Sequence, residues 1–109
     1  MRWLVGPDQR RLRDDQLVKP ASLSSLRADN QASGRYTILD VVATNALGLL
    51  YRISRVISQH GCDVDLVLIA TEGEKAIDVF HITKGGSKLT EADQLALTSD
   101  LHRTLEGSL

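Results

Sequence analysis

The 109-residue sequence predicts a small α+β sandwich, an antiparallel sheet with two helices on one face. Three runs rich in β-branched and aromatic residues, Tyr36 to Thr44, Asp63 to Thr71 and Ala76 to Thr83, contain neither Gly nor Pro. Two further stretches, one following Gly48 and one following Thr90, carry apolar residues at helical spacing. The resulting order is strand, helix, strand, strand, helix.

In the first strand Leu39, Val41 and Ala43 share one face and Ile38, Asp40 and Val42 the other. Asp40 marks its face as wetter or as an interface, so the first set is the expected core. The first helix follows Asn45-Ala46-Leu47-Gly48. Leu49, Leu50, Ile53, Val56 and Ile57 form its apolar stripe, with Arg52, Arg55 and Gln59 opposite. His60 suits the carbonyl end of that helix, and Gly61 is a natural left-handed terminator.

Asp63 to Thr71 is apolar on both faces after Asp65, the pattern of a central strand or of one at a subunit contact. Glu72-Gly73-Glu74 turns the chain into the antiparallel return strand, and Lys84 to Ser87 is a loop. Thr90 followed by Asp93 opens the last helix, with Leu95, Leu97, Leu101 and Leu105 as its stripe and an end near Gly107. This order leaves one sheet position vacant. Ser22 to Asn30 is the segment available to fill it, although Ser, Asp and Asn disfavour strands.

Composition divides the chain. Residues 1 to 35 hold seven basic and four acidic side chains; residues 36 to 109 hold six and ten. Residues 1 to 21 read as a loosely attached basic arm, with a short helix opened by Pro7-Asp8 and closed before Pro20. Residues 22 to 109 read as the folded unit. Arg10, Arg11 and Arg13 are offset by Asp14 and Asp15 and suit a solvated face. A net charge of −1 and 4% aromatic residues argue against nucleic acid as a partner. No apolar run approaches the roughly 20 residues of a membrane span. The single Cys62 fits a reducing cytoplasm, the expected location.

Catalytic motifs are absent: there is no phosphate loop, no H-E-x-x-H and no G-x-S-x-G. His60, His81 and His102 fall in different elements without metal-ligand spacing, and His81 reads as a hydrogen-bonded structural residue. Asp63 and Asp65 share a strand face with no histidine beside them and read as a solvated strand entry. No catalytic residue, metal or cofactor is expected. What remains is the strand-to-helix corner, Asn45 to Leu49. Helix-start amides there would suit a carboxylate, with Gly48 allowing close approach and the Asn45 amide donating and accepting. The competing role is purely local, Asn45 capping the helix and Gly48 easing the turn.

The lead-in Asp29, Asn30 and Ser33, the G-L-L-Y helix start from Gly48 to Tyr51, the A-T-x-G turn of Ala70, Thr71 and Gly73, and Asp78-Val79-Phe80 together resemble an ACT domain. Residues 26 to 107 carry this resemblance. They look most like the C-terminal ACT domain of the bacterial uridylyltransferase/uridylyl-removing family that modifies PII proteins. The resemblance implies a ferredoxin-like ACT sandwich with a four-stranded antiparallel sheet, permuted so that the edge strand comes from the N-terminal side. It also implies a non-catalytic regulatory module binding a small amino acid, glutamine in that family, in nitrogen sensing. Expected partners are that effector and either a second copy or a nucleotidyltransferase.

The family's ligand turn maps onto Asn45, Ala46, Leu47 and Gly48, continuing into Leu49, with Cys62, Asp63 and Val64 as the partner-side wall. Where the family most often has D-R-P-G this chain has N-A-L-G, which removes a charge and a fixed φ. A ligand-free dimerisation module of the same fold is the alternative.

Overall fold

The structure, a computed structural model, describes residues 22–44 and 48–106. The residues of the N-terminal arm, and Asn45, Ala46 and Leu47 of the ligand turn, lie outside the described residues. The elements are β1 (Leu23–Asp29), β2 (Thr37–Thr44), α1 (Leu49–Gln59), β3 (Asp63–Glu72), β4 (Lys75–Thr83) and α2 (Glu91–Leu105). The four strands form one antiparallel sheet in the order β1-β2-β4-β3.

β1 fills the vacant position despite its poor strand propensity. Leu23, Leu26 and Ala28 pack against the core, while Ser24, Ser25 and Arg27 are exposed. Pairing with β2 supplies the backbone partners, and three small-to-medium apolar contacts supply the burial, so tertiary context overrides propensity.

β3 lies at the sheet edge, so of the two expected placements, central or at a subunit contact, the central one is overturned. Its two apolar faces have separate causes. Val64, Val67 and Ile69 turn toward the core, while Leu66, Leu68 and Ala70 pair with His81, Val79 and Ile77 on the sheet's open face. Leu68 is 50% exposed there.

The core lies between the sheet and both helices. Leu39, Val41 and Ala43 of β2 are fully buried with Phe80 and Ile82 of β4, as the alternation predicts. α1 contributes Leu49, Leu50, Ile53, Val56 and Ile57. α2 contributes Leu97, Leu101 and Leu105, but Leu95 is 68% exposed, contrary to expectation. At about 100° per residue Leu95 sits roughly 200° around from Leu97, off the stripe that repeats every four residues. Leu89, just before α2, is instead buried.

The lead-in after β1 is a latch. Asp29 Oδ1 accepts from Gln31 N at 2.7 Å, and Ser33 Oγ accepts from Arg35 N and Tyr36 N at 3.1 Å. The fully buried Thr37 Oγ1 donates to Asn30 Oδ1 at 2.5 Å and accepts from Leu89 N at 2.9 Å. Asn30 Nδ2 donates to Leu89 O at 2.9 Å. The edge strand, β2 and the approach to α2 are thereby tied at one point.

Candidate functional site

The two helix starts differ. Thr90 caps α2 by accepting from Asp93 N at 3.1 Å, and Glu91 and Asp93 lie in its first turn. α1 begins at Gly48, whose φ of 81° places it in the left-handed region that a side chain would strain. Gly48 is the N-cap residue, no side chain among the described residues caps α1, and its first turn contains no acid. The N-cap position falls on Gly48, and the capping role expected for Asn45 lies outside the described residues. Among the described residues, no side chain accepts from the first-turn amides of α1 as Thr90 does in α2.

Beneath that end of the sheet lies a carboxyl that sequence reasoning did not single out as functional. Asp78 pairs with Val41 on one side and Ile69 on the other, on the helix-facing side of central strand β4. It is 3% exposed and forms no hydrogen bond or ion pair among the described residues. Burial alone pushes its pKa up to about 6. Small residues adjoin it: Ala76 is two positions away and pairs with Ala43, one residue before the end of β2. Asp78 thus sits three residues, about 10 Å, along the strand from the Thr44–Lys75 pair at the sheet end where the chain turns up into α1. The alternation Ala76, Asp78, Phe80, Ile82 is the signal that puts this carboxyl on the buried face.

The other half of the sequence-derived site lies elsewhere. Cys62 is buried, Asp63 exposed and Val64 half-buried where β3 starts, at the pairing of Asp63 with Thr83. Gly48 and Leu49 belong to the opposite end, where Thr44 pairs with Lys75. Eight residue steps of β4, about 26 Å, separate the two. One chain does not bring them together. The Cys62 thiol, 8% exposed, has its pKa raised by burial, which suits a packing role rather than a reactive one.

The remaining candidates resolve into structural contacts. His60 is the C-cap of α1 and Gly61 follows at φ 73°. The imidazole also reaches across to α2, its Nε2 2.8 Å from Asp100 Oδ2, and Arg103 completes the cluster at 2.5 Å from Oδ1. The hydrogen bond with His60 holds the Asp100 carboxyl below its usual range. Asp65 falls at an irregularity in β3 pairing between Val64 and Leu66 and accepts from the Tyr36 hydroxyl. His81 departs from expectation: its buried Nδ1 has no hydrogen-bond partner among the described residues, and its ring meets Tyr36 edge-on at 5.6 Å. Among the described residues no group of three or more His, Cys, Asp or Glu could hold a metal ion. No helix among them is long and apolar enough to cross a membrane.

Strand order, helix placement and the corner at Gly48 define the class: a four-stranded, ferredoxin-like α+β domain of ACT type. The sequence is 42% identical over 82 residues to the bifunctional uridylyltransferase/uridylyl-removing enzyme of Ralstonia nicotianae, covering 73% of this chain and 9% of that enzyme. It is 35% identical over 81 residues to the enzyme of the same description from Bradyrhizobium diazoefficiens, covering 72% and 9%. For that of Azospirillum brasilense the identity is 38% over 69 residues, covering 62% and 7%. The chain is an ACT-like domain related to a segment of these enzymes, and spans less than a tenth of their length. No protein-family model and no solved structure matches it.

Proposed function

We propose that this domain is a non-catalytic regulatory module that binds a small amino acid, with glutamine favoured by the resemblance, and serves nitrogen or amino-acid sensing in the cytoplasm. The observation that carries this reading is the glycine-started N-terminus of α1, which no side chain among the described residues caps. A free carboxylate fits amides without a side-chain acceptor. Kinship with uridylyltransferase/uridylyl-removing enzymes supports a role beside a nucleotidyltransferase, in the same polypeptide or in trans.

A two-chain seam would unite the separated halves of the site. If two β3 edges paired antiparallel, Cys62 to Val64 of one copy would adjoin the Thr71 end of the other, which is the end where α1 starts. Isothermal titration of the folded protein against the twenty amino acids tests the ligand. Heat with glutamine or another single amino acid supports the reading, and no heat with any of them overturns it.

The exposed apolar edge strand favours a second reading, a ligand-free assembly module of the same fold. It predicts a dimer by light scattering whose melting is indifferent to every amino acid. A monomer at high concentration refutes it.

A further inference from the structure

We propose that β1, the sheet edge opposite β3, pairs antiparallel with β1 of a second copy about a twofold axis at Ala28, with Leu95 of each chain closing the seam from the helix side. The amino-acid reading uses other residues and the other edge, so the two stand or fall separately.

β1 ends the sheet order, and the outward backbone groups of Leu23–Asp29 have no strand partner among the described residues. Such an edge is a template for another strand unless proline, lysine or a covering element blocks it. β1 contains neither residue, and Ser24, Ser25 and Arg27 are exposed along it. Its one pairing irregularity lies between Leu23 and Ser25, away from Ala28. On the helix side a groove of about 300 Å³ runs beside this edge, lined by Leu26, Ala28, Gln94, Leu95, Thr98 and His102. Leu95, 68% exposed, thus lies beside the free edge rather than in the core.

Charge selects both the occupant and the register. Arg27 and Asp29 share the open face of the sheet, where they pair with Asp40 and Ile38 of β2. In a self-pair with its twofold at Arg27, the two guanidinium groups stand directly opposite each other. With the twofold at Leu26 they lie on a diagonal, roughly 7–8 Å apart. Only a twofold at Ala28 opposes unlike charges, Arg27 of each copy facing Asp29 of the other, twice in one seam. Directly opposite Cβ atoms lie about 4.5–5.5 Å apart, within reach of an ion pair. Both groups are open to it. Arg27 has no hydrogen-bond or ion-pair partner among the described residues. Asp29 accepts from Gln31 N through Oδ1, which leaves its second oxygen open. At the axis Ala28 meets its own copy, and so small a side chain leaves the groove room for the two Leu95 side chains.

The test is a charge swap on the full chain, read by sedimentation equilibrium. The native chain should self-associate, and Arg27→Asp and Asp29→Arg should each weaken this about tenfold, because each alone opposes like charges at the seam. Mixing the two folded variants in equal amounts restores two unlike pairs and should recover the association. A strand supplied from within one chain could not produce that recovery, and the β3 edge carries neither residue. Leu95→Ser should also weaken association while leaving the melting temperature unchanged. Should Asp29→Arg fail to fold for want of the Gln31 contact, Arg27→Asp and Leu95→Ser carry the test and both must weaken association. A native chain that stays monomeric at high concentration, variants that associate as the native chain does, or a mixture no more associated than its parts overturns the proposal.

Discussion

Asp78 is a carboxyl held where ionisation is costly, and replacing it by Asn should erase a definite part of the stability–pH curve. Its folded pKa of about 6 against an ordinary 3.8 corresponds to about 3 kcal/mol of stability withheld once the group is charged. The sign follows from proton counting. Between about pH 4 and pH 6 the folded chain holds this proton and the unfolded chain has released it, so stability falls as pH rises through that window. Above about pH 6 both states are ionised and the loss is complete. Asn has the same shape and no charge. At neutral pH it recovers up to about 3 kcal/mol, less about 1–2 kcal/mol for burying an amide without partners. Urea unfolding followed by circular dichroism at steps from about pH 4 to pH 8 measures both effects. The decisive quantity is the difference between Asp78→Asn and the native chain at each pH. It should grow across the window by about 3 kcal/mol and then level off. Parallel curves would refute the reasoning, because they would mean that Asp78 finds a partner or water when charged.

Thr37→Val keeps the shape but leaves Leu89 N–H and the Asn30 side chain without their shared partner, and should cost about 2–3 kcal/mol in the same urea assay. Gly48→Ala forces a Cβ into the left-handed region and should cost about 1 kcal/mol in thermal unfolding. His60→Ala removes the hydrogen bond that depresses the Asp100 carboxyl. Its titration, followed by carboxyl-carbon NMR, should move upward toward the ordinary aspartate value. The stability supplied by that depression is present above the ordinary aspartate pKa and lost as pH falls below it, opposite in sign to Asp78.

Helix and strand positions were legible because their signal is periodicity. The Leu39, Val41, Ala43 face and all five buried positions of α1 follow from spacing alone. Sheet order was harder. β3 has an apolar pattern on both sides that is identical for a central strand and for an edge strand whose outer face is open, so local pattern did not separate them. Leu95 is apolar like the stripe residues, but its angle around α2 turns it to solvent. β1 was assigned by an argument about vacancy, and its weak propensity is outweighed by pairing that no local window contains. The candidate site was legible at Gly48, where a left-handed helix start is a glycine's natural place. Asp78 lay hidden in plain alternation, since a strand reading tends to discount a single acid between Ala76 and Phe80. The orphaned His81 nitrogen was beyond reach: whether a half-buried ring finds a partner depends on neighbours brought in from β2.

The distance between Gly48 and the Cys62–Val64 segment turns the amino-acid reading into a statement about concentration. Both ends of β4 lie about 26 Å apart, several times the length of any free amino acid, so one molecule of ligand cannot touch both within one chain. If both segments contribute, ligand and second copy must bind together, and each strengthens the other by the same factor. Glutamine affinity measured by titration should then weaken as the protein is diluted through its own dimer dissociation, and light scattering should show glutamine shifting that dissociation to lower concentration. Substituting Leu68 on the exposed apolar face by Lys should loosen the dimer and the ligand in parallel, provided that face lies against the seam. An affinity unchanged from dimer to monomer would exclude the Cys62–Val64 wall. The site would then be confined to the helix start and the buried carboxyl beneath it.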